Sequence, residues 1–143
     1  MFGLISSIIA GISMSFQGVF NTRLSEKIGL WQTNFLVQAI AFLITGLILL
    51  FVGKGNLSNL GSSNKLYLLG GPLSVIIIFT VMGGIETLGP TYSISTILVS
   101  QLLAAGVIDA FGLFGSEKVY FGSTKIMGLL IMILGIIIFK WKR

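Results

Sequence analysis

Five long apolar runs, separated by short polar segments, dominate the hydrophobic pattern of the chain. A helix needs about 20 mostly apolar residues to cross the hydrocarbon core of a bilayer. The runs are continuous and do not alternate between apolar and polar residues, which argues against the strands of a membrane β-barrel. The pattern predicts an all-α integral membrane protein. Its single transmembrane domain of 143 residues would hold five helices, at about 2–20, 31–52, 66–85, 91–113 and 124–141.

Four short connections join the predicted helices, at residues 21–30, 53–65, 86–90 and 114–123. The second is rich in Gly, Ser and Asn and is typical of a flexible loop. The third reads as a tight turn. Pro90 suits the first turn of the helix that follows, because proline has no N–H to leave without a partner there.

Gly70, Gly71 and Pro72 fall inside the third predicted helix. A helix beginning only at Pro72 would be too short to span, so we expect the helix to begin earlier and to bend at this point. Transporters place interrupted helices at binding sites, and a simple kink near one interface is the alternative. Gly83 and Gly84 form a second point at which the helix could flex.

Composition excludes a soluble fold. Hydrophobic residues make up 55% of the chain and charged residues 9%, against about 25% charged in soluble domains. The chain has no histidine and no cysteine, which removes most metal ligands and the commonest general base. No nucleophile–base pair or phosphate-binding loop is visible, so we expect neither an enzyme nor a cofactor or metal. No basic face suits a nucleic acid.

Basic residues are spread almost evenly over the two ends of the predicted helices. Four lie on the side of the N-terminus and five on the other: Lys54, Lys65, Lys118 and Lys125 against Arg23, Lys27, Lys140, Lys142 and Arg143. A clear excess of Lys and Arg normally fixes orientation, and here there is none. Either an unseen factor sets the orientation, or the chain inserts both ways. We expect the second, with two copies pairing antiparallel as an inverted repeat.

Pairing of membrane helices depends on small residues that permit close approach. Gly128 and Gly135 are seven residues apart in the fifth predicted helix and therefore share one face. They are candidates for dimer or helix packing, and packing within one chain is the equal alternative.

Polar side chains inside hydrocarbon are costly unless they are satisfied, so they are candidates for function. Gln101 lies about 15 Å into the fourth predicted helix, near the middle of the membrane. A helix–helix hydrogen bond is the alternative for each residue. The candidate substrate-binding set shares amide or hydroxyl groups: Gln17, Asn21, Asn34, Gln38, Thr96, Ser100 and Gln101.

No carboxylate is expected at mid-membrane, where pumps tolerate an acid to carry protons. Glu86 falls in the predicted turn after the third helix, and Asp109 falls near the end of the fourth. Either could act at the mouth of a cavity.

Two groups of residues resemble a known family. The first group resembles the first two helices of that family, and consists of Gly11, Gln17, Asn21, Leu24, Gly29, Phe35 and Gly46. The second group resembles the family's fourth helix and the turn beside it, and consists of Leu88-Gly89, Gln101-Leu102, Asp109 and Phe111-Gly112. The family is the YdcZ-like group of small membrane proteins in the drug/metabolite transporter superfamily.

The resemblance implies a five-helix half-transporter that pairs antiparallel, related to the small multidrug resistance proteins and to larger ten-helix exporters. The chain departs from the family pattern at Ser100, Ala110 and Glu86-Thr87. Its first helix also lacks the central glutamate of the small multidrug resistance proteins.

The expected function is an inner-membrane transporter, and more specifically an exporter of a small organic solute. It would work by alternating access as an antiparallel homodimer of dual topology. Its partners would be a second copy, the lipid bilayer and the solute. The alternatives are a passive channel and a structural or accessory membrane subunit that transports nothing.

Overall fold

The computed structural model describes residues 1–120 and 122–141. Within them it contains five α-helices, three short 3-10 helices and no strand. Each of the five long helical segments is long and apolar enough to cross a membrane, which confirms the predicted all-α architecture. The helices are α1 (Phe2–Ile28), α2 (Leu30–Val52), α3 (Gly70–Leu88), α4 (Pro90–Phe111) and α5 (Ser123–Lys140).

Helix α1 is longer than predicted. The expectation that it ends near residue 20 and that a loop covers residues 21–30 is wrong, because the helix continues to Ile28. These residues are polar and contain no helix breaker, and Arg23 Nη1 pairs with Glu26 Oε1 one turn later at 3.1 Å. The polarity of residues 21–28 therefore does not mark the end of the helix.

A single residue, Gly29, joins α1 to α2. Its φ of 96° lies in the region that only glycine adopts without strain. Its N–H donates to the carbonyl of Ser25 at 2.9 Å, and its carbonyl accepts from the N–H of Thr33 at 3.0 Å. One residue therefore closes the first helix and opens the second, and α1 packs against α2.

The segment between α2 and α3 contains two 3-10 helices. Leu57–Ser62 lies where a flexible loop was predicted, and Lys65–Leu69 lies at the predicted start of the third helix. An asparagine begins each of them. Asn56 Oδ1 accepts from the N–H of Ser58, and Asn64 Oδ1 accepts from the N–H of Leu66.

The third span begins before Pro72, as predicted, and its helix type changes at Gly70, whereas a bend at this point stays a prediction. The chain changes from the 3-10 helix Lys65–Leu69 to α3 at Gly70, so Gly70, Gly71 and Pro72 form the first turn of an α-helix. The N–H groups of a first turn have no partner within the helix, so the missing N–H of Pro72 breaks no hydrogen bond. Residues Lys65–Leu88 together are long enough to span.

The contacts divide the chain into two compact units, Met1–Thr87 and Leu88–Arg143. In the first unit α3 packs closely on α1 at Gly18. A Cβ added to Gly18 would lie 2.8 Å from Ile85 Cδ1 and 3.2 Å from Val81 Cγ1. Trp31 of α2 stacks on Phe79 of α3, with ring centroids 4.6 Å apart.

In the second unit α4 packs against α5. Gly89, with a φ of 79°, precedes Pro90 and caps α4. The Nζ of Lys140 lies 4.3 Å from the ring centroid of Tyr92, so the last turn of α5 is beside the first turn of α4. The two helices therefore run antiparallel.

Large apolar side chains are exposed along the spans, among them Leu50 and Phe51 in α2 and Ile138 and Phe139 in α5. The buried apolar side chains among the described residues are few: Met82, Ile85, Val99 and Leu129. Such a surface is stable against lipid and not against water. The single-domain prediction is not tested by these observations and stays a prediction.

We expect Gly18→Leu to lower the free energy of unfolding by about 1–3 kcal/mol, the typical effect of overpacking. The reason is that the new side chain would displace Ile85 and Val81. Gly11→Leu is the matched control, because a Cβ at Gly11 meets nothing within 4 Å. Both variants gain the same helix propensity. Thermal unfolding in detergent compares them, and equal stability of the two variants would contradict this packing.

Candidate functional site

Two of the predicted substrate-binding amides tie α2 to α3. The Nδ2 of Asn34 donates to the carbonyl of Val75 at 2.8 Å, and the Nε2 of Gln38 donates to Ser74 Oγ at 2.6 Å. Ser74 Oγ in turn donates to the carbonyl of Gly71 at 2.7 Å. These bonds join residues far apart in the chain, so they hold two helices in register.

Buried polar residues gather on both sides of the Gly29 link. They are Asn21, Thr22 and Ser25 in α1, and Thr33 and Asn34 in α2. Thr22 Oγ1 donates to the carbonyl of Gly18 at 2.8 Å, and Ser25 Oγ donates to the carbonyl of Thr22 at 2.8 Å. The hairpin formed by α1, Gly29 and α2 therefore has a polar interior at the end next to Gly29.

Thr33 is a buried polar residue that the sequence analysis missed. Its side chain is fully buried, and its Oγ1 has no hydrogen-bond partner among the described residues. Other threonines inside helices donate to the carbonyl four residues earlier, as Thr22 and Thr45 do. The carbonyl four residues before Thr33 belongs to Gly29, which is not helical and already accepts the N–H of Thr33. The only signal in the sequence is its place next to Asn34.

The two predicted polar residues of α1 differ in burial. Asn21 is buried, whereas Gln17, one turn earlier, is exposed. Within residues 1–120 and 122–141, no hydrogen bond engages the side-chain amide of either residue. Both amides are thus available to another hydrogen-bonding group.

The three predicted residues of α4 are exposed. Thr96 Oγ1 donates to the carbonyl of Tyr92, and Ser100 Oγ donates to the carbonyl of Thr96, both at 2.9 Å. Each hydroxyl keeps lone pairs that can accept a hydrogen bond. Gln101 lies in the middle of α4, and its amide has no partner in the described part of the chain.

The second unit also contains a groove that sequence reasoning missed. It has a volume of about 250 Å³ and lies between α4 and α5. Its walls are mostly apolar, and none of the predicted substrate-binding residues lines it. The lining residues are Ser95, Leu98, Met132, Gly135, Ile136 and Phe139.

The two acids that were candidates for a cavity mouth both lie in the last turns of helices. Glu86 was predicted in a turn, which is wrong, because α3 continues to Leu88 and Glu86 is exposed on it. Asp109 is half-buried near the end of α4, and its backbone carbonyl accepts from the N–H of Val119 at 2.9 Å. Whether either acid acts on a solute stays a prediction.

The glycines predicted to flex or to pack fall in two settings. Gly83 and Gly84 are half-buried in α3, and their carbonyls accept from Thr87 Oγ1 at 2.8 and 3.3 Å. Gly128 and Gly135 are exposed on α5, and a Cβ added to either meets nothing within 4 Å. The described part of this chain therefore does not pack closely on either residue.

The chemistry that these residues offer is hydrogen bonding by uncharged groups. In residues 1–120 and 122–141, no three His, Cys, Asp or Glu side chains are grouped to hold a metal ion. Amides and hydroxyls can recognise a polar solute through hydrogen bonds.

We expect Thr33→Val to raise the free energy of unfolding by about 1 kcal/mol, because it removes a buried hydroxyl that has no partner. Thr22→Val is the control, since it removes a hydroxyl bonded to Gly18 and should lower stability. Thermal unfolding in the same detergent compares the two variants. A loss of stability in Thr33→Val as large as in Thr22→Val would mean that the Thr33 hydroxyl is satisfied.

A family model described as "Putative inner membrane exporter, YdcZ" matches residues 2–138 of this sequence. No curated protein and no solved structure matched the sequence. The family is described by transport and not by a catalytic activity. Together with five helices able to span a bilayer, the match means that the protein is a multi-pass protein of the inner membrane. Because the match covers nearly the whole chain, the chain belongs to the YdcZ family.

Proposed function

We propose that the protein exports a small organic solute by alternating access, as an antiparallel homodimer of dual topology. The observation that carries the proposal is Gln101, an exposed amide with no described partner in the middle of a spanning helix. An unpaired amide in hydrocarbon is costly, so its retention is best explained by a hydrogen bond to a bound solute. The exporter description of the family supports outward transport.

Two hydroxyls next to Gln101 extend the proposed solute-binding surface. Thr96 and Ser100 are four residues apart and share one face of α4, next to Gln101. Their hydrogens are engaged by helix carbonyls, so the hydroxyls present acceptor lone pairs. In the other compact unit, α1 carries two further amides of the predicted set, Gln17 and Asn21. A surface of amides and hydroxyls without charge favours a solute that is neutral or has a delocalised charge.

The hydrogen bonds of Asn34 and Gln38 set these two residues apart from the other predicted substrate-binding residues. Because both amides hold α2 to α3, these helices would move as one body during transport. Gly83 and Gly84 would serve as the compliant points, because glycine leaves the helix least constrained there. In this proposal Asn34 and Gln38 position the helices, and Gln101 contacts the solute.

Two observations support the antiparallel pairing. The near-even distribution of Lys and Arg gives no preferred orientation, although Lys142 and Arg143 lie outside the described residues. The exposed Gly128 also allows close approach of a second helix, because the space above it is open.

We expect Gln101→Leu to abolish transport and to leave the dimer intact, because it removes a solute contact and no described helix contact. A thermal-stabilisation screen of metabolites and drugs with the purified protein first identifies a solute. Counterflow of that solute in liposomes then measures transport, and cross-linking measures the dimer.

The matched control for this experiment is Gln32→Leu, the same substitution at an exposed glutamine in the first turn of α2. This variant should transport normally. Full activity of Gln101→Leu would reject the site, and loss of activity in both variants would point to a general effect of the substitution.

Dual topology predicts that each loop is reached from both sides of the membrane. The chain contains no cysteine, so Gly55→Cys introduces a single thiol between α2 and α3. In intact cells, we expect about half of the thiols to react with an impermeant maleimide and the rest to react only after lysis. Asn59→Lys in the same variant should shift this ratio by adding charge to one side. Labelling confined to one side would contradict the antiparallel dimer.

A further inference from the structure

The groove between α4 and α5 has the form of a seat for a hydrocarbon chain. Five of its six lining residues are apolar, and the hydroxyl of the sixth, Ser95, already donates to the carbonyl of Thr91 at 2.8 Å. From Phe139 to Met132 it follows α5 for about 10 Å along the helix axis. The groove is open to the surroundings at the surface of an inner-membrane protein.

Gly135 leaves this groove open. A Cβ at this position meets nothing within 4 Å, so the absence of a side chain provides free space. Gly128 lies on the same face of α5, seven residues earlier, and does not line the groove. The two glycines therefore offer a matched pair of positions, one inside the groove and one outside.

A cation lies beside one end of the groove. Lys140 follows the lining residue Phe139, and its Nζ lies 4.3 Å from the ring centroid of Tyr92, one turn before the lining residue Ser95. A lysine over an aromatic face is restrained by the ring quadrupole. The first turn of α4 contains no acidic residue that would compete for the cation. Lys142 and Arg143 follow in the sequence, outside the described residues.

We propose that this groove binds one anionic diacyl phospholipid, with an acyl chain over Gly135 and the phosphate at Lys140. Positive charge at the end of a spanning helix complements an anionic headgroup, and the open apolar groove gains dispersion contacts when a chain fills it. Zwitterionic lipids should bind this site less tightly, because their headgroups offer Lys140 no net negative charge. The proposal depends on the inner-membrane location and not on the transport function or the dimer.

The chain carries its own reporter for this site. Trp141 follows Lys140 and is 80% exposed, and the second tryptophan, Trp31, lies in the other compact unit. In a Trp31→Phe background the full-length protein is reconstituted into phosphatidylcholine vesicles. Brominated phosphatidylglycerol or brominated phosphatidylcholine is then titrated in, and quenching of Trp141 fluorescence gives the relative association of the two lipids.

We expect phosphatidylglycerol to be preferred about fivefold, the effect of roughly 1 kcal/mol for a basic residue near an anionic headgroup. Lys140→Gln should abolish most of this preference. Lys125→Gln removes the same charge at the opposite end of α5 and should preserve it. Equal losses in the two variants would show a general surface-charge effect and would overturn the proposal.

Gly135→Leu tests the acyl chain, because the new side chain fills the groove and should reduce quenching by both brominated lipids. Gly128→Leu places the same side chain on the same helix outside the groove and should leave quenching unchanged. A second copy of the chain is the rival occupant. If Gly135→Leu dissociates a cross-linkable dimer and leaves lipid quenching unchanged, the groove is a protein interface and the proposal is wrong.

Discussion

Every backbone N–H and C=O that enters hydrocarbon must find its partner within the chain, because lipid offers none. This requirement explains why the described spans are helices. It also explains the behaviour of most hydroxyls, which donate back to a carbonyl of their own helix, as those of Thr45 and Ser100 do. The few polar groups that do not follow this rule are the ones that need another explanation.

Those polar groups fall into two classes. The amides of Asn34 and Gln38 reach across to α3 and contribute to the packing of the first unit. The amide of Gln101 and the hydroxyl of Thr33 are not engaged by the described residues. Gln101 is exposed at mid-span and a molecule from outside the chain can contact it, whereas Thr33 is fully buried. The first class holds helices of the first unit together, and of the second class only Gln101 is exposed to a molecule from outside the chain.

The number of spanning helices could be predicted because about 20 apolar residues in a row have few other uses. The end of α1 could not be predicted, because polar residues such as Asn21 and Arg23 are equally compatible with a loop and with a polar turn of helix. Gly70-Gly71-Pro72 was ambiguous for a related reason, since the same residues can bend a helix or begin one. Spacing placed Asn34 and Gln38 on one face, but only the packing of α3 shows that these amides bind a neighbouring helix. The groove along Gly135 depends on how α4 and α5 pack, which no local pattern encodes.

The Gly29 link has a consequence for the way the chain enters the membrane. One residue leaves no slack between α1 and α2 once both helices have formed, so neither can then cross the bilayer while the other remains behind. The sense of α2 in the membrane follows from that of α1. A choice between two orientations is therefore a single choice for the pair. A longer, hydrophilic linker at this position would uncouple the two helices and allow each of them to be inserted separately.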